Sequence, residues 1–389
     1  MSDKVKFHHR QKPVPAPVPP TLGSHRIGKQ HRPFGDPVAF LKSTPKFESI
    51  PFEAPQGNLV LALSAISKAV NDAIDAAGKM VFHSVGDTGG VNGTEAEDAV
   101  ANEMEQQIKN PGVEGSPAFF YHLGDVVYFN GISTDYPNQF YEPYQYYPAE
   151  ILAIAGNHDG DPPSTEPSLT GFRLNFCDTQ RHPASPYKKT MIQPYVYWSM
   201  DTPLARIIGL YSNIDGSLDK EDKGPQEQWL VASMKAAARN CLIVAVHHAP
   251  YSLDEVHGGY PKILESLDNA IEESRRIPDL VLSGHVHNYQ RFSRKISDRE
   301  IPYVIAGAGG YANNLKAMHK MQTDNGRQIA LPFQTTQSDV MLQKFNQSDP
   351  GFLKLTVTKT LLTVEYYVVP FDGSADGNPF DSVTVRLRP

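Results

Sequence analysis

The chain has 389 residues, of which 40% are hydrophobic, 10% aromatic and 20% charged. This length and balance are typical of a soluble globular protein with a large core, and they exclude a fibrous or wholly disordered chain. The net charge of −7 argues against a general nucleic-acid binder, the two cysteines exclude a disulfide scaffold, and no apolar run reaches the ~18 residues of a membrane span.

The first fifty residues form a separate compositional region. They contain eight prolines, four of them at the alternating positions 13, 15, 17 and 19, and they carry a net charge of +6, so the rest of the chain carries −13. Alternating prolines favour extended polyproline II and prevent strand pairing. We predict a flexible, Pro-rich basic arm over residues 1–50 and a folded domain over residues 51–389. The arm lacks the apolar stretch that a secretory signal peptide needs, which predicts a cytoplasmic protein. An exported form whose leader has been trimmed is the alternative that stays open.

From about Asn58 the pattern changes to alternating helices and strands. Apolar residues from Leu59 to Ala77 recur at helical spacing. Continuous apolar runs predict strands that are buried on both faces, at residues 80–85, 118–123, 151–155, 241–246 and 279–283. Helices are predicted at 95–109, 226–240 and 261–274, and further strands at 195–200, 205–210, 352–357, 361–369 and 382–387. A polar insertion covers about 312–350. Together these elements predict an α/β fold with helices layered around central sheets.

Each of five buried strands is followed by residues of metal-binding types. Ligands in α/β folds bind beyond the carboxyl ends of the strands. One such segment alone is weak evidence, because Gly-Asp after a strand is commonly a turn with a left-handed glycine. Five together predict a centre with two metal ions, and Asp125 is the natural bridge because a carboxylate has two oxygens. The segments are Gly86-Asp87-Thr88-Gly89, Gly124-Asp125-Val126-Val127-Tyr128, Gly156-Asn157-His158-Asp159, His247-His248-Ala249-Pro250 and Gly284-His285-Val286-His287.

At these residues the chain resembles the calcineurin-like metallophosphoesterases. Their pattern is an aspartate motif, Gly-Asp, Gly-Asn-His-Asp/Glu, a histidine motif and Gly-His-x-His. Two departures, the absence of the usual histidine after Asp87 and the presence of Tyr128, resemble the purple acid phosphatase branch, in which a tyrosine phenolate binds a ferric ion. Further similarities to that branch are the stretch from His248 to Ser252, His257 nine residues after His248, Gln226 with Trp229 and Leu230, and the stretch 284–291.

The resemblance implies a fold, a metal centre and an activity. The fold would be a two-sheet α-β-β-α sandwich with a dinuclear metal site at the strand ends. Carried over residue by residue, the Fe(III) ligands would be Asp87, Tyr128 and His287, the ligands of a divalent Fe, Zn or Mn ion would be Asn157, His248 and His285, and Asp125 would bridge the ions. The implied reaction is hydrolysis of a phosphomonoester by a metal-bound hydroxide, with His158 and His257 as candidates to protonate the leaving group.

Two other functions remain open at this stage. The same metals would serve a phosphodiesterase or nucleotide pyrophosphatase, and a non-catalytic metal-binding module acting through the basic arm is a third alternative. The expected partner is a phosphorylated small molecule or peptide, with no nucleic acid, and the oligomeric state is unknown. We expect His247 to pack on the face opposite His248, Asp159 to orient His158, and Tyr289 and Arg291 to shape their loop.

Overall fold

The computed structural model describes residues 33–38, 49–91, 93–113, 115–161, 165–213, 216–237, 241–311, 318–371, 375 and 377–388. Most of the predicted arm, residues 1–32 and 39–48, lies outside the described residues. Residues 33–38 contact the folded unit: the ring of Phe34 lies 5.4 Å from that of Phe333, and Ser252 N donates to Pro37 O at 2.9 Å. Phe34 and Pro37 thus lie against the folded unit although the prediction put them in the arm, and the boundary at residue 50 stays a prediction.

The helices of the described residues are mostly short. They are α1 Leu63–Ile66, α2 Lys68–Ala77, α3 Glu95–Gln106, α4 Asn157–Gly160, α5 Thr170–Phe176, α6 Pro225–Ala236 and α7 Pro261–Ser274, with a 3₁₀ turn at Ser133–Asp135 and a π-helical turn at Pro137–Tyr141. In the part of the chain that is described, no helix combines the length and the apolar character that crossing a membrane requires.

The strands of the described residues form two large sheets and one small hairpin. They are β1 Val60–Ala62, β2 Lys79–Val85, β3 Phe119–His122, β4 Glu150–Ala153, β5 Trp198–Asp201, β6 Ala205–Leu210, β7 Cys241–Val246, β8 Leu280–Ser283, β9 Tyr289–Ile296, β10 Arg299–Ala306, β11 Thr323–Asp324, β12 Arg327–Gln328, β13 Phe333–Gln334, β14 Val340–Asn346, β15 Gly351–Thr358, β16 Leu361–Val368 and β17 Asp381–Arg386.

The two large sheets differ in size but share a parallel centre. The six-stranded sheet has the order β17-β16-β15-β2-β3-β4, in which β2, β3 and β4 are parallel. The nine-stranded sheet has the order β1-β5-β6-β7-β8-β10-β9-β14-β13, in which β6, β7, β8 and β10 are parallel. Carboxyl ends of parallel strands meet at one edge, so each sheet gathers several strand-end loops at a single place.

The sheets pack against each other through large aromatic side chains. The ring of Tyr121 on β3 lies 5.9 Å from that of Trp198 on β5, and Tyr289 on β9 stacks on Tyr366 of β16 at 3.9 Å. Burial of each such side chain contributes about 1.5–3 kcal/mol, so these contacts hold the sheets together. Helices α6 and α7 cover the outer face of the nine-stranded sheet. Ile74 of α2 and Met104 of α3 belong to the hydrophobic core that includes the six-stranded sheet. The predicted α-β-β-α sandwich is confirmed.

Several elements differ from the prediction. The predicted helix from Leu59 begins instead with strand β1, which pairs with β5 before α1 starts. The predicted polar insertion contains β14, which pairs with β9. Tyr289 and Arg291, expected to shape a loop, begin β9, and both bind Asp381 of β17: Tyr289 donates at 2.8 Å, and Arg291 donates twice, at 2.7 and 2.9 Å. These two residues therefore link one sheet to the other.

Candidate metal centre

Loops that follow β2, β3 and β4 carry candidate ligands that bind through oxygen. Asp87 follows β2, Asp125 and Tyr128 follow β3, and Asn157 begins α4 after β4. We call these segments the oxygen loops. Asp87 and Asp125 are left-handed, with φ of 59° and 52°, a conformation that costs a residue with a Cβ about 1–2 kcal/mol. In the Gly86-Asp87 pair the left-handed residue is therefore the aspartate, and not the glycine as predicted.

Glycine precedes these ligands because the loops approach one another closely. A Cβ at Gly156 would collide with the carboxylate of Asp125, and a Cβ at Gly284 would lie 2.6 Å from Oδ2 of Asp87. The repeated glycines of the sequence thus leave room for ligands supplied by a neighbouring loop. His285 also has a positive φ, of 66°, so three candidate ligands share this strained conformation.

Three other candidate ligands surround the hydroxyl of Tyr128. This oxygen lies 3.1 Å from Oδ2 of Asp125, 3.3 Å from Oδ1 of Asp87 and 3.4 Å from Nε2 of His287. His287 Nε2 and Asp87 Oδ1 are themselves 3.4 Å apart. All four side chains are buried. The structure therefore brings together the residues that were expected from the sequence to bind Fe(III), including Asp125, the expected bridge.

A second group of ligand atoms shares Asp125 with the first. Among the described residues, the donor atoms of Asp125, His247 and His285 lie within 4.8 Å of one another. Nε2 of His247 is 3.2 Å from Oδ2 of Asp125 and 3.2 Å from Oδ1 of Asn157. This group thus has the composition expected for a divalent ion, except that His247 occupies the position that the sequence analysis gave to His248.

The prediction that His247 points away from the site is wrong. Side chains alternate along a strand, and Ile243 and Ala245 of β7 belong to the core between the sheets. His247 continues that face, and its Nδ1 lies 2.8 Å from the carbonyl oxygen of Leu123. Both faces of β7 are buried and apolar, so the sequence could not tell which of the two adjacent histidines faces the oxygen loops.

His248 lies beside the second group without joining its close atoms. Its Nδ1 is 2.6 Å from Oγ of Ser212, and its ring centroid is 4.3 Å from that of His285. Tyr260 contacts both rings, with its hydroxyl 2.7 Å from Nε2 of His285. We call the segments 247–248 and 285–287, which follow β7 and β8, the imidazole loops.

Burial and mutual charge perturb the carboxylates and imidazoles. Burial raises the pKa of Asp87. Burial would also raise that of Asp125, but the nearby His247 and His158 hold it below its ordinary range. Burial opposes charge on His247, whereas the Asp125 carboxylate raises its pKa to about 9. Two carboxylates, a phenol, imidazole nitrogens and the amide oxygen of Asn157 thus lie close together, a donor set that fits two cations sharing Asp125.

The two candidate proton donors occupy different surroundings. His158 is 28% exposed at its side chain, and its Nδ1 donates to the carbonyl of Phe129 at 2.7 Å, so this contact fixes the ring. The ring of His257 lies 4.6 Å from that of His285, and burial, together with His287 and His158, lowers its pKa to about 3. His257 is therefore neutral near neutral pH and can donate a hydrogen bond there, but it does not serve as an imidazolium.

Two further residues reach the site without an interpretable sequence signal. His319, from the predicted polar insertion, stacks on His287 at 4.3 Å, and its Nδ1 accepts a hydrogen bond from His287 N at 3.2 Å. Tyr311 stacks on Tyr128 at 4.0 Å. Tyr311 thus contacts a ligand of the oxygen loops and His319 one of the imidazole loops, each far away along the chain, so only the tertiary fold reveals them.

Polar side chains beneath the oxygen loops hold these loops in register. Asp159 accepts hydrogen bonds from Val126 N at 3.1 Å, Gly156 N at 2.8 Å and Tyr136 Oη at 3.3 Å. It therefore ties loop to loop, in place of the predicted contact with His158. His122, whose pKa burial lowers to about 3, contacts Thr88 Oγ1 through Nε2 at 3.0 Å and accepts from Gly124 N through Nδ1 at 3.1 Å.

Comparisons with known proteins agree with this architecture. The family model of calcineurin-like phosphoesterases matches residues 80–289, which is more than half of the chain. Probable purple acid phosphatase 20 of Arabidopsis thaliana is 32% identical over 156 residues, covering 38% of this chain and 34% of that protein. Purple acid phosphatase 21 of the same plant is 25% identical over 214 residues, covering 53% and 43%. The matches thus span less than half the length of these relatives.

Two solved structures share the fold at low identity. Purple acid phosphatase PPD1 from yellow lupin (Lupinus luteus) gives a TM-score of 0.57 at 19% identity, over 79% of this chain and 53% of that one. GAP50, described as the anchor in the inner membrane complex of Plasmodium, gives 0.55 at 15% identity, over 80% and 90%.

Proposed function

Because the chain belongs to the calcineurin-like phosphoesterases, we propose that it is a metal-dependent phosphoester hydrolase of the purple acid phosphatase type that acts on phosphomonoesters. The family implies a dinuclear metal site. The observation that carries the proposal is the position of Asp125, whose Oδ2 lies 3.1 Å from Tyr128 Oη and 3.2 Å from His247 Nε2. The same carboxylate thus belongs to both ligand groups, as a bridging ligand must.

The metals are assigned from the chemistry of the two ligand groups. Asp87, Asp125, Tyr128 and His287 form a hard, anionic set that suits Fe(III), whereas the group around Asn157 is largely neutral and suits a divalent Fe, Zn or Mn ion. We assign His247, together with Asn157, His285 and the shared Asp125, to the divalent position. His248 then packs beside His285, and the hydroxyl of Ser212 orients the ring of His248. When bound, the two cations supply the Lewis acidity that neutralises phosphoryl oxygens and acidifies a water nucleophile.

The surrounding side chains of the chain bind and orient the substrate. His158 presents Nε2 toward the leaving group, because Nδ1 is held by the carbonyl of Phe129. It can hold the proton that the leaving oxygen takes up. His257, neutral and buried beside His285, can donate a hydrogen bond to a phosphoryl oxygen. The stacked rings of Tyr128 and Tyr311 form an aromatic wall on the side of the site where the oxygen loops lie.

A phosphodiesterase or nucleotide pyrophosphatase remains the second candidate, since the same ligands serve both reactions. A non-catalytic role is the third, and the fold shared with GAP50 is compatible with it. The retained ligands and the exposed His158 favour turnover over a purely structural role.

Turnover and metal content distinguish these candidates. The purified full chain is loaded with iron and then with Zn, Mn or a second equivalent of iron, and the kcat/KM is measured on a phosphomonoester and on the corresponding diester. We expect two metals per chain and a kcat/KM at least 10-fold higher for the monoester. A preference for the diester would favour the second candidate, and two bound metals without turnover of either ester would favour the third.

A further inference from the structure

An exposed aromatic side chain stands at the rim of the proposed site. Phe129 follows Tyr128 directly and is 48% exposed. Single exposed apolar residues are common and need no function. Phe129 differs because its own carbonyl oxygen holds Nδ1 of His158 at 2.7 Å. The residue that orients the proposed proton donor thus also places an apolar ring beside it.

The rings around Phe129 meet it edge to face. Its centroid lies 6.2 Å from that of His158 at 73°, 6.1 Å from that of Tyr311 at 88° and 6.1 Å from that of Tyr128 at 78°. Among the described residues, no aromatic ring lies parallel to Phe129. Its neighbours therefore leave parallel stacking, one of the favoured aromatic geometries, free for a ligand.

The chemistry of the reaction determines which part of the substrate lies beside Phe129. In a phosphoester hydrolysis, the group that donates a proton lies next to the leaving oxygen. The part of the substrate attached to that oxygen must then extend past His158, and Phe129 is its neighbour at the rim. A planar ring carried directly on the ester oxygen would reach Phe129, whereas a short alkyl alcohol would offer it no face for stacking.

We propose that Phe129 is a specificity-determining residue, the platform on which a planar aromatic leaving group stacks, so that the site favours phosphoesters of aromatic alcohols over those of small alkyl alcohols. This inference rests on the proposed function. Tyr311 supports the platform: it stacks on Tyr128 at 4.0 Å, its ring is perpendicular to that of Phe129, and its backbone N donates to Asp87 O at 2.9 Å.

The test compares leaving groups in three proteins: the metal-loaded full chain, its Phe129→Leu variant and its Tyr187→Leu variant. Tyr187 is the matched control, since it is 62% exposed and its ring lies against Tyr146 rather than a site residue. Substrates are 2-naphthyl phosphate, phenyl phosphate and glycerol 2-phosphate. The two aryl esters have leaving groups of similar acidity, so the difference between them reports ring size.

A stacked aromatic pair is worth enough to change affinity by about 2- to 10-fold. We expect Phe129→Leu to raise the KM for 2-naphthyl phosphate by about this factor, and to do so at least threefold more than for glycerol 2-phosphate. Phe129→Trp should restore the preference, and Tyr187→Leu should leave the ratio of the substrates unchanged. The Kd of benzylphosphonate should rise in Phe129→Leu relative to that of ethylphosphonate, which reports binding without turnover.

Equal losses on all three substrates, or an unchanged benzylphosphonate Kd in Phe129→Leu, would overturn the assignment and leave Phe129 with only its carbonyl contact to His158. Absence of turnover by the unsubstituted, metal-loaded chain on every phosphate would instead reject the proposed function. The phosphonate measurement still reports on the platform in that case, so the two failures are distinguishable.

Discussion

The oxygen loops and the imidazole loops have opposite chemical character. The loops of the six-stranded sheet supply two carboxylates, a phenol and an amide, while those of the nine-stranded sheet supply imidazoles. Neither set forms a complete site alone: Tyr128 Oη needs His287, and Asp125 needs His247, each from the other sheet, at 3.4 and 3.2 Å. The candidate metal centre is therefore a product of sheet packing, and the two sets of loops can be altered separately.

The most severe way to disrupt both halves at once is to change the residue that they share. Asp125→Asn keeps the volume and can still accept from His158 N, which lies 2.8 Å from Oδ1. It removes the charge that balances two cations, so we expect a loss of about 10³-fold or more in kcat/KM and lower metal content at both positions. Metal analysis with steady-state kinetics measures this. Two metals per chain with near-normal turnover would contradict the bridging role.

Replacement of His247 and His248 one at a time tests which of these adjacent imidazoles binds the divalent ion. His247→Gln removes the nitrogen that faces Asp125 and Asn157, and we expect about a 100-fold loss of activity with weaker binding of the divalent ion. His248→Gln leaves that nitrogen in place and should cost about 10-fold, as loss of a supporting contact does. Titration of the divalent ion into each variant measures whether His247→Gln loses more affinity than His248→Gln. A larger loss of affinity in His248→Gln would restore the assignment made from the sequence.

On the oxygen side, Tyr128→Phe tests the phenol alone. The ring and its stack on Tyr311 remain, but the oxygen near Asp87, Asp125 and His287 is removed. If the phenolate binds Fe(III), the iron-loaded protein should absorb visible light by charge transfer and the variant should not. Activity should fall by about 10-fold, because three ligands remain. A visible spectrum that is the same in both proteins would remove Tyr128 from the metal.

Glu97, a buried acidic residue of α3, allows a test through the pH dependence of the free energy of unfolding. It is 0% exposed in the first turn of α3, and burial, with Asp98 nearby, raises its pKa well above the ordinary value. Between the pKa of Glu97 in the unfolded chain and its raised pKa in the folded chain, the unfolded chain loses a proton that the folded chain keeps. Folding therefore becomes less favourable as the pH rises through this window, by about 1.4 kcal/mol per pH unit.

Glu97→Gln removes that dependence. The variant should therefore gain stability relative to the parent as the pH rises from about 4.5 toward the raised pKa, with a smaller difference at low pH. Denaturant unfolding at several pH values measures this. A parallel pH dependence in both proteins would mean that Glu97 is ionised in the folded state.

The sequence was most informative where one physical rule dominates. Continuous apolar runs predicted β2, β3, β7 and β8, and the polar residues beyond their ends predicted where the ligands would gather. The sequence failed where two alternatives bury equally well. His247 and His248 are adjacent on a strand buried on both faces, so only packing distinguishes them. Strand β14 lies in a polar segment whose pairing with β9 is non-local, and His319 reaches His287 only through that fold.

The hydrogen bond from His285 N to Asp87 Oδ2, at 2.8 Å, joins residues that are 198 positions apart in the chain. At a synthesis rate of about 5–20 residues per second, a ribosome makes the second partner roughly 10–40 s after the first. During that interval Asp87 has been made but its partner His285 has not, and strand β15, which pairs with β2, is made later still. The candidate metal centre therefore cannot be assembled from the N-terminal half of the chain alone, and its completion waits for the last strands to be made.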